Sequence, residues 1–335
     1  MTHADFLKVV SKLKEDCNSF GNQMLYNMAN KENFRDGKKF ADTMWVIGRA
    51  YAASPQRRSY GTKQNGFPVR PDNDGRGQFF SVIANTFKDF EFPELPAFTY
   101  EGDIEKEKLQ QSASLVLRFN QKLSEAIEKF DCAPEGIHCT NHISFSSKFL
   151  HFYYPESVFI IDNYAQIGAG HMFGKRKQGR FAYICDPDQK ITYNPLQMNY
   201  FQINGEHREY YFAQDVYENI LPENMDRIVK RVAEACELKD DRYITHCVRS
   251  YLLARHLKQN GLDDCLMPRL VDTVFLNIKG KLDKVELDHY CQLAQRYEGF
   301  AEKYKNTDKE KEFTEILENY KLADKIKEAR YCDKY

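Results

Sequence analysis

Apolar side chains recur at helical spacing along most of the chain. Two N-terminal helices are predicted, with the apolar faces Phe6, Val9, Val10 and Leu13 (about 4–16) and Phe40, Met44, Ile47 and Tyr51. The second should end by Ser54, because Pro55 disfavours helical geometry in the residue before it. The same spacing predicts later helices at about 77–87, 104–130, 213–220, 224–237, 241–259, 268–278, 284–304 and 310–330.

Three segments interrupt this helical pattern. Residues 59–75 are rich in Gly, Pro, Asn and Asp and predict a loop, and 91–102 predicts a linker. Residues 181–211 mix aromatic and β-branched side chains with turn residues, which predicts a small strand hairpin or an ordered loop insertion. The predicted fold is therefore mainly α with a small irregular or β insertion. We expect an N-terminal helical region at 1–100, a core at 101–180, the insertion at 181–211 and a C-terminal helical region at 212–335.

Composition predicts a globular cytoplasmic protein without bound cofactors. Of the 335 residues, 42% are hydrophobic and 29% charged, and neither a membrane-length apolar run nor a secretory signal is present. The nine cysteines form no Cys-x-x-Cys pair, which predicts reduced thiols. Cys132, His138, Cys139 and His142 lack the paired spacing of a zinc site, and no phosphate-loop motif indicates a nucleotide cofactor.

Basic side chains concentrate in two segments although the formal net charge is −1. One segment contains Arg57 and Arg58, and the other is the run Lys175-Arg176-Lys177. Both are candidates for contacting DNA phosphates, and the alternative is that each is a solvated surface loop. Arg49 lies within an apolar helix, so we expect it to be buried and ion-paired, with Asp272 as one possible partner.

The segment from Ser146 to Ala165 carries the candidate chemistry. Lys148 begins an apolar helix that should stop near Pro155, and a short hydrophobic run then delivers Asp162 to the start of the next helix. This layout can bring the amine and the carboxylate close together at the mouth of a helical core. A carboxylate can stabilise the positive charge that develops on a sugar when its N-glycosidic bond breaks, and an amine can attack the sugar carbon. The alternatives are an ordinary helix lysine and a helix-capping aspartate.

The order Ile143-Ser144-Phe145-Ser146-Ser147-Lys148, apolar helix, proline, Phe159-Ile160-Ile161-Asp162 resembles the signature of the helix-hairpin-helix base-excision DNA glycosylases. Trp45–Pro55 and Met267–Asp272 look like parts of a bacterial group with the 8-oxoguanine-glycosylase core. The resemblance implies a helix-hairpin-helix fold and a DNA partner. It also implies Asp162 as the catalytic carboxylate, Lys148 as a catalytic lysine, and a hairpin at Ser146 and Ser147 that grips a phosphate through backbone N–H groups.

The resemblance further implies that a base is flipped out of DNA and excised, in repair or in defence against phage with modified DNA. Aromatic and imidazole side chains near the site are candidates for the base pocket: Tyr51, His151, Phe152 and Tyr164. Serines stand where family hairpins often have glycine, and the lysine-to-aspartate spacing is about one helical turn shorter than usual. These departures leave three alternatives open: a lyase that uses Lys148, a water-using enzyme in which Lys148 only positions the backbone, and an inactive nucleic-acid-binding or sensor module. A purely helical interaction protein that docks through the charged helix predicted at 310–330 is a further alternative.

Overall fold

The computed structural model is mainly helical, as predicted. It describes residues 3–17, 19–30, 34, 36–51, 80, 83–129, 142–173, 178–184, 193–199, 202–203, 206–207, 225–235, 241–263, 265–278, 305–307 and 310–311. The predicted helices at 213–220 and 284–304, and most of the one at 310–330, lie outside these residues. Among the described helices, none has the length and apolar character needed to cross a membrane.

The chain divides into two compact units. One unit contains Thr2–Phe173 with Gln214–Leu276, and the other contains Met1, Gly174–Ala213 and Asn277–Tyr335. The first unit holds all the helices that position the candidate site, which are α1 (His3–Cys17), α2 (Phe20–Met28), α3 (Gly37–Ala50), α4 (Lys106–Lys129), α5 (Ile143–Tyr153), α6 (Asn163–Phe173), α7 (Met225–Ala235), α8 (Asp241–Gln259) and α9, the helical stretch that begins at 267.

Helix α3 shows how local sequence fixes the helix ends. Asp36 caps its N-terminus, because one carboxylate oxygen accepts hydrogen bonds from the backbone N–H groups of Lys38 and Lys39 at 3.1 and 3.2 Å. Tyr51 forms the C-cap, close to the predicted end. The predicted apolar face is correct, since Phe40, Met44 and Ile47 are all buried.

Helices α4 and α5 form the centre of this unit. α4 packs against α5, α7 and α8, while α5 also packs against α2 and α3. Aromatic rings fill the space between them: the Phe149 ring on α5 lies 5.2 Å from Phe40 and 5.3 Å from Phe119, measured between centroids. Such rings bury large apolar areas and prefer these offset and edge-on contacts.

The other unit contains two antiparallel strand pairs. β1 (Gln178–Ile184) pairs with β2 (Tyr193–Asn199), with Gln178 opposite Asn199, and β3 (Gln202–Ile203) pairs with β4 (Glu206–His207). β1 and β2 overlap the insertion predicted at 181–211, and β1 begins three residues before it.

Candidate functional site

Lys148 and Asp162 form an ion pair at the junction of α5 and α6. The Lys148 Nζ donates to Asp162 Oδ2 at 2.9 Å, and the two side chains are 6% and 17% exposed. The amine is therefore enclosed, while the carboxylate keeps partial access to solvent. Sequence reasoning predicted that these two residues meet, and the structure brings them into direct contact.

Asp162 is fixed because it also caps α6. Its Oδ1 accepts from the backbone N–H of Ala165 at 2.8 Å, so both carboxylate oxygens are held by partners. Burial alone raises the pKa of Asp162. The Lys148 charge and the hydrogen bonds from Ala165, Lys148 and the Tyr164 backbone outweigh burial and hold this pKa below its ordinary value. The carboxylate is consequently ionised at neutral pH.

Side chains from α5 bind the extended run that precedes Asp162. After α5 ends, residues 158–162 adopt no helix or strand. The backbone N–H of Ile161 donates to Ser147 Oγ at 3.1 Å. The Val158 carbonyl lies 2.9 Å from His151 Nδ1, which must carry the proton to donate there.

Side chains of helix α8 also bind the backbone of residues 158–161. The Tyr243 hydroxyl donates to the Phe159 carbonyl at 3.1 Å, and His246 Nε2 lies 2.7 Å from the Ile160 carbonyl. Each residue from Val158 to Ile161 thus has a backbone group bound by a buried side chain. Because this run leads directly into Asp162, the bonds to its backbone fix the position of Asp162.

The ring of Tyr51 lies beside two cations. The Lys148 Nζ is 5.6 Å and the Arg269 Cζ is 5.4 Å from its centroid, distances typical of cation–π contacts. The Tyr51 hydroxyl donates to Asn22 Oδ1 at 2.8 Å, which fixes the ring from its far end. The structure therefore places the predicted pocket residue Tyr51 directly beside Lys148.

A second ion pair lies on α9. Arg269 Nη1 donates to Asp272 Oδ2 at 2.8 Å, with side chains 13% and 3% exposed. Burial raises the pKa of Asp272 to about 7, although the charges of Arg269 and Lys148 oppose this and the charge of Asp162 adds to it. Sequence reasoning missed Arg269 as a neighbour of the site. The only signal was its place in the Met267–Asp272 stretch.

Four predicted roles do not agree with the structure. Ser146 and Ser147 are fully buried inside α5, and the Ser146 N–H donates to the His142 carbonyl at 2.9 Å, so neither serine can present a free hairpin N–H to a phosphate. His151 and Phe152 are also buried. They pack with Tyr26, whose hydroxyl lies 2.7 Å from His151 Nε2, and form core rather than a base pocket.

Two further predictions have different outcomes. Tyr164 is 56% exposed in the first turn of α6, two residues from Asp162, where its ring is accessible. The prediction that Arg49 is buried and paired is wrong, because Arg49 is exposed and Arg269 is the partner of Asp272. The predicted DNA contacts Arg57, Arg58, Lys175, Arg176 and Lys177 lie outside the described residues.

Among the described residues, neither a metal site nor a cavity is found at the Lys148–Asp162 ion pair. Within the described part of the chain, no group of three or more His, Cys, Asp or Glu side chains could hold a metal ion. A surface cavity of about 520 Å³ lies elsewhere, between the 93–95 segment and α4, where Arg118 and Glu107 line it.

No protein-family model, curated protein or solved structure matches this chain. The likeness to helix-hairpin-helix glycosylases therefore rests on the quoted residues alone.

Proposed function

We propose that the protein is a DNA glycosylase that excises a damaged or modified base, with Asp162 as the essential carboxylate. The observation that carries the proposal is the state of Asp162: it is ionised, partly accessible and rigidly held beside the Lys148 amine. A helix cap alone does not need a buried lysine on its second oxygen. The combination matches the chemistry that the sequence resemblance implies.

Cleavage of an N-glycosidic bond places positive charge on the deoxyribose as the base departs with the bonding electrons. The Asp162 carboxylate stabilises that charge and accepts a proton from the water that attacks the sugar carbon. The products are a free base, which takes up a proton, and an abasic sugar. Positioned carboxylates of this kind contribute roughly 10²–10⁴-fold to such reactions.

Lys148 serves in this proposal to keep Asp162 ionised and in place. Its Nζ donates to Asp162 Oδ2 and is nearly enclosed, so the amine is engaged in the ground state. The water mechanism therefore fits this geometry better than direct attack by the amine, which would first have to leave Asp162 and lose a proton.

The exposed ring of Tyr164 supports a base-binding role next to Asp162. An aromatic face that is 56% exposed offers a stacking surface for an extrahelical base. The basic segments at Arg57-Arg58 and Lys175–Lys177 supply cationic side chains for DNA phosphates in this proposal.

The test compares two Asp→Asn substitutions at helix N-caps. Asp162→Asn should lower abasic-site formation by about 10²-fold or more, because asparagine caps α6 but cannot carry the negative charge. Asp36→Asn preserves the cap of α3 in the same way and should retain activity, because Asp36 lies at the opposite end of α3 from Tyr51, the neighbour of Lys148. Abasic sites are scored by alkaline cleavage of oligonucleotides that contain a panel of modified bases.

DNA affinity, measured by fluorescence anisotropy at several salt concentrations, separates the alternatives. Asp162→Asn should bind DNA as the wild type does, with the same salt dependence. Full activity in Asp162→Asn would contradict the proposal. Wild-type binding without abasic products across the panel would favour the inactive binding module.

A further inference from the structure

The buried Arg269–Asp272 pair is incompletely satisfied. Asp272 Oδ2 accepts from Arg269 Nη1, but Asp272 Oδ1 and Arg269 Nε are buried without a hydrogen-bond partner among the described residues. A buried carboxylate with one unused oxygen is costly, because desolvation penalises the charge and a single hydrogen bond only partly compensates.

The pair is connected to the candidate site through Tyr51. Arg269 and Lys148 both lie within 6 Å of the Tyr51 centroid, so the two cations are no further apart than the sum of those two distances. The charges of the Lys148–Asp162 pair also act on Asp272. The negative charge of Asp162 raises the pKa of Asp272, and the positive charge of Lys148 lowers it.

Several elements contribute the charged and titratable groups around Asp272. Its own helix supplies Arg269, α5 supplies Lys148 and the start of α6 supplies Asp162. The tyrosines Tyr26 on α2 and Tyr51 at the end of α3 also interact with Asp272 and Arg269, and burial holds the pKa of both tyrosines above the ordinary value. Both tyrosines remain neutral in the neutral range, as does His151 on α5, on which the Arg269 charge also acts. The Cys17 thiol on α1 is a further neighbour of Tyr26 and Arg269. Asp272 is the group of this cluster whose pKa lies near neutral pH.

We propose that Asp272 is a positioning residue of the candidate site, which fixes the Arg269 guanidinium against Tyr51 and whose charge is coupled to the Lys148–Asp162 pair. Its meaning for catalysis rests on the proposed function. With Asp272 ionised, the four groups Lys148, Asp162, Arg269 and Asp272 carry no net charge. With Asp272 protonated they carry one positive charge, which favours the ionised form of Asp162 and a polyanionic ligand.

Coupling between charged groups is reciprocal, so the influence of Asp272 on the pair can be read at Asp272 itself. The protein labelled with ¹³C at aspartate carboxyl carbons is titrated by NMR without DNA. Asp272→Glu identifies the signal, because it removes this carboxyl from the labelled set while keeping the charge that balances Arg269. The titration should show one aspartate with a midpoint near neutral pH, since Asp272 has a pKa of about 7.

Two variants of the ion pair should move that midpoint in opposite directions. Asp162→Asn removes a like charge and should lower the Asp272 midpoint by a few tenths of a unit to about one unit. Lys148→Met removes an opposite charge and should raise it by a similar amount. Asp36→Asn removes a carboxylate from the cap of α3 and should leave it unchanged.

The proposal is overturned if both ion-pair variants leave the midpoint within about 0.1 unit of wild type, or if no aspartate titrates near neutral pH. An Asp272 that is electrostatically isolated from the Lys148–Asp162 pair would give one of these results. The outcome is independent of glycosylase activity: shifts of the predicted sign with an active Asp162→Asn enzyme would sink the proposed function and leave the coupling intact. Loss of activity in Asp162→Asn without such shifts would support the proposed function and overturn the coupling.

Discussion

The hydroxyl of Ser147 links α5 to the residue before Asp162. It accepts from the Ile161 N–H at 3.1 Å, and it lies 3.3 Å from the carbonyl oxygens of both Ser144 and Ile161, to which its own proton can be donated. Ser147 and Ile161 are both buried. A serine predicted to face DNA instead holds the backbone that carries the candidate carboxylate.

Ser147→Ala should therefore destabilise the protein. The substitution leaves the buried Ile161 N–H without its acceptor, which costs about 1–3 kcal/mol in the free energy of unfolding. Urea unfolding followed by circular dichroism measures it. Ser124→Ala is the comparison, because the Ser124 hydroxyl donates back to the Asn120 carbonyl of its own helix, and we expect it to lower this free energy by less than Ser147→Ala does. Equal effects of the two substitutions would contradict this account of Ser147.

Residue-level prediction worked where local order determines position. Lys148 and Asp162 could be paired from sequence because one helix and one short run separate them. Arg49 could not be placed, because an apolar helix pattern with one charged residue does not reveal which side that residue faces. Arg269 and Asp272 lie more than 100 positions from Asp162 in sequence, and only the tertiary packing of α9 brings them near it.

At the scale of elements, the contact between α6 and α9 depends on a glycine. A Cβ built on Gly168 would overlap the carbonyl oxygen of Phe275, so the α6 backbone approaches α9 more closely than any other residue allows. The ring of Phe173 at the end of α6 also meets Phe275 edge-on, at 6.5 Å between centroids. This close approach keeps the helix capped by Asp162 against the helix that carries Asp272.

Gly168→Ala and Gly170→Ala should have opposite effects on stability. Gly168→Ala forces α6 and α9 apart and should lower the free energy of unfolding by about 1–3 kcal/mol. Gly170, on the same helix, has nothing within 4 Å of a built Cβ, so Gly170→Ala should raise it by up to about 1 kcal/mol through helix propensity. Thermal and urea unfolding measure both changes. A Gly168→Ala variant with the free energy of unfolding of the wild type would refute the close contact.

Most described helices could be predicted from apolar periodicity, and the helix predicted at 241–259 is observed at Asp241–Gln259. The predicted 104–130 helix is Lys106–Lys129, and the predicted 224–237 helix is Met225–Ala235. The helix predicted at 77–87 is described at residue 80 and at 83–86. The start of α5 was misjudged, because Ser146 and Ser147 have the composition of a turn, and only burial against Asn120 and Ile161 shows them to be helical core.

At the scale of the whole molecule, buried histidines should make the fold sensitive to acid. Burial lowers the pKa of His151 to about 3 and that of His246 to about 4, although their bonds to the Val158 and Ile160 carbonyls oppose the shift. Below the ordinary histidine pKa of about 6.5, these two histidines are protonated in the unfolded chain but stay neutral in the native state. Stability is therefore fully present above that pH and is lost as pH falls toward 4 and 3. The raised pKa of Asp272 acts oppositely, with stability lost as pH rises toward 7.

His246→Gln isolates one histidine, because glutamine keeps an N–H donor for the Ile160 carbonyl but does not titrate. The stability advantage of wild type over this variant should shrink by up to about 1.4 kcal/mol per pH unit as pH falls from 6.5 to 4. The gap between wild type and Ser147→Ala should stay constant over the same range. Urea unfolding at each pH measures both differences in the free energy of unfolding. A difference between wild type and His246→Gln that does not change with pH would refute the lowered pKa of His246.

The central claim is that Asp162 in this helical fold excises a base from DNA. The most direct measurement is mass spectrometry of free bases after incubation of modified genomic and phage DNA with wild-type protein and with Asp162→Asn. We predict that wild type releases one class of modified base and that Asp162→Asn releases none above the protein-free blank. Release by both proteins at the same rate, or no base released by the wild type from any of these DNAs, would contradict the claim.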